Sequence, residues 1–398
     1  MTFTKTSRTR KSVQPLSCDA CGLSQDILVP YGNFKKKIMC IGESPLLCDM
    51  QQKKGWQSAG GQFLRRALSL HDIDLFEDCI NLSAVACCPQ TVDGNDRFPS
   101  EYEMACCRKR VIDTIDGYQP RLILLFGEMA MKSVIHGNWR KDDKLPTLDQ
   151  MRGWVIPDRT YNAWICVLNN PIMVAEAGRE IITIWEQDLE RALLRSTELL
   201  PTDVFEESKV GIVEDLKFLT TLTGPVAFDY ETTGLKPHNT AKHEIICMSV
   251  CNDWDKSYAF MMPTDPIQKH YIKQFLKSNV GKIAQNMKFE INWSQNILKY
   301  VPNNWVWDTM LATHVMDNRS GVTGLKFQTY VQFGVVDYNS DVSPYLKAKD
   351  YKNGNAVNKN KDLIKTEDGK RKLLMYCGLD SLFEYRLAML QMRHFNVR

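Results

Sequence analysis

The stretch Val226–Lys236 reads V-A-F-D-Y-E-T-T-G-L-K, an apolar run that ends in acid. Val226, Ala227 and Phe228 suit a short buried strand. Asp229 and Glu231 follow two residues apart, so an extended backbone turns both carboxylates to one face. Carboxylates held together repel each other, and the usual relief is a shared proton or a shared cation. Thr232, Thr233 and Gly234 then close the strand and open a turn. Alone, such a pair is more often a solvated strand edge than a site. Its meaning rests on acids elsewhere in the chain.

Around this stretch the pattern alternates between strand and helix. Val213–Leu222 has helical spacing just upstream, after a break at 197–209 marked by Pro201 and a charged run. Downstream, Glu244–Cys251 and Ser257–Met261 read as strands, so a meander starts at Val226. Ile267–Ser278 predicts a helix and Gly281–Ala284 a short strand. The sequence Asn286-Met287-Lys288-Phe289-Glu290 leads into the helix start Ile291-Asn292-Trp293. Val306–Ala312 opens another helix, with Asp308 at its N-terminal end as a cap. The last helix, near Arg371–Phe395, carries Tyr376-Cys377-Gly378-Leu379-Asp380. Tyr376 and Asp380 are one turn apart and share a face. A phenol beside a carboxylate is able to orient a water at a metal, though a core tyrosine with a surface aspartate is the plainer reading. Before that helix, Lys347–Lys372 is a basic run interleaved with asparagines and flanked by Tyr345 and Tyr351. It reads equally as a solvated loop or as a phosphate-tracking one, with Lys359, Lys361, Lys365, Arg371 and Lys372 as the candidate contacts.

In this order, D-x-E on a first strand, N-x-x-x-acid at a helix start and Y-x-x-x-D on a last helix resemble the DEDDy 3′–5′ exonucleases. Those are the proofreading-type domains of family A DNA polymerases and their relatives, and the resemblance covers residues 210–398. It implies a ribonuclease H-like (DnaQ-like) fold with a mixed sheet, and phosphodiester hydrolysis with two Mg²⁺ or Mn²⁺ ions. By the same resemblance Asp229 bridges the ions, Glu231 and Asp380 complete the first site, Glu290 supports the second and Tyr376 aligns the attacking water. Glu290 departs from the family, which has aspartate there.

The first half has its own rhythm. Residues 1–13 read as a disordered basic tail. Strands are expected at Lys37–Gly42, Cys79–Cys87, Arg121–Phe126 and Trp164–Leu168, with helices from near Gln62, over Ser100–Asp116, after Gly127-Glu128 and over Ile181–Arg195. Strands alternating with helices predict an α/β domain with a mostly parallel sheet. The chain has 13 cysteines, nine of them before Pro120. Cys18, Cys21, Cys87 and Cys107 group as a close pair and two distant thiols, a set that fits tetrahedral zinc or a [4Fe–4S] cluster. Cys40, Cys79 and Cys166 fall on strands and read as buried structural thiols.

The layout C-x-x-C-G-L, then Gly42-Glu43-Ser44-Pro45, an aromatic before a Gly-Gln helix start, a strand ending V-x-C and then E-x-x-x-C-R resembles the family 4 uracil-DNA glycosylases. The resemblance covers residues 14–198. It implies a [4Fe–4S] cluster on Cys18, Cys21, Cys87 and Cys107, Glu43 in the loop that supports attack on the glycosidic carbon, and Trp56 stacking on the flipped base. Two positions depart from the family. Ser83 stands where an asparagine reads the base, and Asn170 stands where a histidine stabilises the leaving anion. The pocket thus keeps its shape residues and loses two chemical ones, which points to a scaffold or DNA-binding role.

The length, 398 residues, suits two or three domains, and a net charge of +3 permits a nucleic-acid partner. No apolar run is long enough to span a membrane, and Met1–Lys11 lacks a signal peptide, so a cytoplasmic protein without a membrane partner is expected. The expected domains are 14–200 (glycosylase-like) and 210–398 (exonuclease), joined by a linker at 201–209. The pairing resembles the N-terminal half of some bacteriophage family A DNA polymerases. With the sequence ending at Arg398, the expected partners are DNA and a polymerase, in trans or in a longer chain. The expected activity is metal-dependent 3′–5′ trimming of DNA. The alternatives are a non-catalytic DNA-binding or replisome-docking protein, and a bifunctional enzyme that excises uracil and then trims.

Overall fold

The computed structural model describes residues 16–23, 26–135, 144–201, 209–238, 243–348 and 356–397. The basic tail at 1–13, most of the 201–209 linker and the 349–355 part of the basic run lie outside them. The chain divides into two compact units that part between Leu200 and Pro201, with a short segment ending at Gln150 grouped with the second.

Among the described residues the first unit holds a five-stranded sheet, β1 Ile38–Gly42, β2 Cys79–Ser83, β3 Leu122–Phe126, β4 Val155–Asp158 and β5 Ala163–Leu168, in the order β2-β1-β3-β5-β4. All pairings are parallel except β4 with β5. β1, β3 and β5 are buried along their whole length, which is why they read as continuous apolar runs. Leu64, Leu68, Leu124, Phe126, Trp185 and Leu189 belong to the core on one side of the sheet. The edge strand β4 has no counterpart in the sequence reading, because its Pro157 argues against a strand.

The second unit holds a six-stranded sheet among its described residues, β6 Val210–Ile212, β7 Val226–Thr232, β8 Ile245–Cys251, β9 Ser257–Met261, β10 Lys282–Ala284 and β11 Trp305–Asp308. The order is β11-β10-β7-β8-β9-β6, with β7, β8 and β9 antiparallel and the outer pairings parallel. Both sheets agree with the fold class expected from sequence, the first mostly parallel and the second mixed. Alternation sorts β7 into two faces. Val226, Phe228 and Tyr230 enter one core with Met248, Val250 and Phe260, while Ala227 enters the core of the helix Glu367–His394. Asp229 and Glu231 share the face of Ala227 by the period of two.

Two local expectations need correction. Val213–Leu222 is not an α-helix: 217–221 is one 3₁₀ turn after a coil. The Asp215 carboxylate accepts from Lys217 N, and the Thr220 and Thr221 hydroxyls donate to the carbonyls of Lys217 and Phe218. These side-chain bonds compete with the helical ladder. Likewise Val306 and Trp307 lie on β11, and the helix begins only at Thr309.

Candidate active site

The helix Glu367–His394 crosses the sheet directly over β7 and β8. Ser249 on β8 and Ser257 on β9 donate their hydroxyls to the carbonyls of Cys377 and Gly378, both at 2.7 Å. Gly378 allows this approach, since a methyl group there would press into Val210 on β6. The seat brings Asp380 down to the carboxylates of β7. One ligand oxygen each from Asp229, Glu231 and Asp380 lies within 4.8 Å of the other two. Glu231 and Asp380 are buried and Asp229 is half-buried.

The cluster is electrostatically frustrated. Burial first, then the charge of Asp380, lifts the Asp229 carboxyl to about 7, against the pull of Lys326. Burial and then Asp229 hold Glu231 well above the usual carboxylate range. Three crowded oxygen donors of this kind fit a hard divalent cation. Glu290 is not one of the three close carboxylates, but it is 2% exposed and its Oε2 has no hydrogen-bond partner among the described residues. Burial and then Asp229 raise its carboxyl strongly. Asp308 positions the helix that bears Glu290. Its carboxylate accepts from the amides of Asn286 and Met287 and from those of Met310 and Leu311, tying two helix starts together. That is the capping role expected from sequence.

Tyr376 is buried one turn before Asp380 and faces Tyr338, with ring centroids 6.1 Å apart. A cavity of about 270 Å³ adjoins the two rings and is also lined by Arg371 and Lys372. Of the other basic candidates, Lys361 pairs with Glu244 at 2.7 Å and Lys365 with Asp362 at 2.6 Å, while Lys372 pairs with Asp368 at 2.8 Å. Lys359 donates its amide to the Tyr345 carbonyl. The asparagines of this run hold the end of β7: Asn358 and Asn360 both donate to the Thr232 carbonyl at 2.9 Å.

In the first unit, the candidate pocket residues meet at the C-terminal ends of the parallel strands. Glu43 follows β1, Gly127 follows β3 and Asn170 follows β5. Glu43 accepts from Met129 N at 3.1 Å and from Asn170 Nδ2 at 2.7 Å, and Gly127, at φ 98°, leaves the room its side chain fills. Asn170 Oδ1 also caps the helix Pro171–Ala175 through Ile172 N. The Trp56 ring lies against Gly42 and edge-on to Phe126, 5.6 Å away. Ser83 ends β2, and its carbonyl accepts from Arg110. Asn81 is buried and its amide donates to Leu75 O at 2.7 Å, so it cannot replace a base-reading asparagine.

Burial first, then the charges of Cys107, Cys18 and Cys21, pushes the Cys87 thiol up to about 11. Cys88 turns elsewhere and donates to Asp96 at 3.2 Å. Among the described residues the four thiols grouped from sequence do not converge to metal-ligand spacing as the three carboxylates do.

Residues 209–388 match the family model described as 3′–5′ exonuclease, and residues 29–188 match the uracil DNA glycosylase superfamily. The chain joins a domain of the uracil DNA glycosylase superfamily to a 3′–5′ exonuclease domain. A type-4 uracil-DNA glycosylase of Pyrobaculum aerophilum is 27% identical over 132 residues, 32% of this chain. The match spans 65% of that relative, less than two thirds of its length. Among solved structures, Brucella melitensis NrnC with bound Mg²⁺ aligns with 47% of this chain and 80% of its own, at 16% identity and a TM-score of 0.33. Escherichia coli RNase D, an exoribonuclease involved in structured RNA processing, aligns with 46% of this chain and 42% of its own, at 13% identity and a TM-score of 0.32. No helix among the described residues is long and apolar enough to cross a membrane.

Two side chains of the exonuclease domain escaped the sequence reading. Lys326 pairs with Asp380, and the Tyr338 hydroxyl donates to the same carboxylate at 2.6 Å. A lone lysine and a lone tyrosine carry no spacing signal. Glu384 is also buried, one turn beyond Asp380, and its four-residue offset from Asp380 was the available clue.

Proposed function

We propose that the exonuclease domain, residues 210–398, hydrolyses phosphodiester bonds stepwise from the 3′ end of DNA, and that the glycosylase-superfamily domain, residues 14–200, serves mainly to bind DNA. The observation that carries the first part is the Asp229–Glu231–Asp380 cluster with Tyr376 one turn away. Two divalent cations, when bound, supply charge neutralisation at the phosphate and acidify the attacking water. Asp229, Glu231 and Asp380 are the residues that would hold one, and Asp229 with Glu290 the other. Tyr376 orients the water. The water oxygen bonds to phosphorus as the bond to the 3′ oxygen breaks, the water loses a proton, and the leaving oxygen takes one up. The cavity beside Tyr376, lined by Arg371 and Lys372, suits the terminal nucleotide. The fusion to a glycosylase-superfamily domain favours DNA over RNA. Service to a DNA polymerase in replication, as a proofreading activity of bacteriophage type, extends the same reading. In the first domain, Cys18, Cys21, Cys87 and Cys107 would hold a [4Fe–4S] cluster.

A 5′-labelled single strand with Mg²⁺ is expected to shorten one nucleotide at a time, and Asp229→Ala to abolish the shortening. Digestion by that variant at the wild-type rate would sink the assignment, and faster trimming of an RNA strand of the same sequence would overturn the DNA preference. For the first domain, a uracil-containing duplex incubated with protein and EDTA, then alkali, is expected to stay intact. Strand breaks there would establish excision in place of binding alone.

A further inference from the structure

One member of the carboxylate trio, Asp380, already holds a cation, and it belongs to the protein. Lys326, the second residue of the helix Leu325–Phe333, sends its ammonium into an ion pair with Asp380 Oδ1. The ammonium stands 3.9 Å from the ring centroid of Tyr338 and 4.3 Å from that of Tyr376, so two aromatic faces hold it. The Lys326 side chain is 20% exposed and that of Asp380 is 10% exposed. Its charge is felt by Glu231 and Asp229 as well as by Asp380. One ion pair and two ring contacts hold the ammonium at the edge of the trio. The ring slot fixes where the charge sits, and the carboxylates gain a counter-charge at the oxygen a divalent ion would need.

We propose that Lys326 is a tethered competitor for the divalent cation: its ammonium occupies the Asp380 side of the site, and a metal ion binds there only by displacing it. The inference rests on reading the trio as a cation site. The lysine holds the acidic cluster together when no metal is bound, and it sets the metal concentration at which the site loads. Its long stem lets the ammonium swing away without unfolding the helix that carries it.

Mn²⁺ binding to the full chain, read by the loss of the free-ion electron paramagnetic resonance signal, tests this without any turnover. Asp229→Ala supplies the background. Lys326→Met keeps the stem against the rings and removes the charge, so it is expected to bind Mn²⁺ at this site about tenfold or more tightly than wild type. Lys326→Arg keeps the charge and is expected to bind no more tightly than wild type. The urea midpoint in EDTA is expected to fall in Lys326→Met and to recover on adding Mn²⁺, which also verifies that the variant folds. Equal or weaker binding by Lys326→Met overturns the proposal, as does an arginine variant that binds as tightly as the methionine one. If wild type and variants all bind no more Mn²⁺ than Asp229→Ala does, the metal reading falls with it. If all bind equally above that background, only the competitor role falls.

Discussion

Replacing Gly378 by alanine tests how closely the acidic site depends on the seat of its helix. The glycine faces β6, and a methyl group there would stand 3.1 Å from Val210 Cγ2 and nearer still to Cγ1. Ordinary contact returns only after about 1 Å of movement by the helix or by Val210. The hydroxyl bonds from Ser249 and Ser257 to the carbonyls of Cys377 and Gly378 resist a retreat of the helix. Tyr376 and Asp380 lie two residues to either side and travel with it. Alanine gains about 1 kcal/mol over glycine as a helix former. Overpacking costs about 1–3 kcal/mol, so the net loss of stability is about 0–2 kcal/mol. A misplacement of about 1 Å at reacting groups is worth about 100-fold in rate. The expected outcome is a protein that stays folded, with a urea midpoint lowered by no more than that loss of stability implies, and 3′ trimming slowed by about 100-fold, measured in single turnover on a 5′-labelled strand with Mg²⁺. Adding Val210→Ala makes room for the methyl, so G378A/V210A is expected to recover most of the lost rate. Wild-type trimming by Gly378→Ala, or no recovery in the double variant, refutes the reasoning.

Three further outcomes follow from the same geometry. Asp308→Ala removes the cap of two helix starts and is expected to lower stability by about 2–4 kcal/mol in urea unfolding; a loss under about 0.5 kcal/mol contradicts the role given to that carboxylate. In EDTA, the folded Asp229 carboxyl keeps its proton up to about pH 7, whereas the unfolded one releases it near 3.8. The folded state therefore binds more protons across that window, and stability is expected to fall as pH rises from about 4 to about 7 and to flatten for this group above it. Asp229→Asn is expected to make the slope shallower, and an unchanged slope counts against the assigned proton. Finally, Cys87→Ser is expected to lose the iron and acid-labile sulfide of anaerobically purified protein while Cys88→Ser retains them; equal retention in both would remove Cys87 from the ligand set.

How much of this could be read without coordinates depended on whether a residue's role was written in local spacing. Asp229 and Glu231 declare a shared face because a strand has a period of two, and Tyr376 and Asp380 do so because a helix has a near-period of four. The continuous apolar runs of β1, β3 and β5 could be read as parallel strands for the same kind of reason. Roles that depend on tertiary approach left no such trace. Val213–Leu222 has helical spacing, yet Asp215, Thr220 and Thr221 redirect its backbone bonds. Asn358 and Asn360 read as part of a solvated basic run, yet they hold the end of β7 from more than a hundred residues away. Lys326 reads as an ordinary lysine at a helix start until Asp380 and two rings surround it.

The two domains differ in whether their acids are satisfied, and that difference bears on where chemistry is to be sought. Glu43 has both carboxylate oxygens engaged, one by the Met129 amide and one by Asn170. Asn170 in turn spends its carbonyl on a helix cap, leaving one amide hydrogen for anything that enters the pocket. A carboxylate with a donor on each oxygen gains less from a further contact than one with none. The exonuclease domain is built the other way. Burial and the neighbouring carboxylates raise the proton affinity of Asp229 and Glu231, and Glu290 keeps a buried oxygen without a partner among the described residues. Such an arrangement costs stability unless a proton, a cation or Lys326 relieves it. A fold that carries this cost in one domain and removes it in the other has kept the capacity to bind positive charge where Asp229 and Glu231 stand.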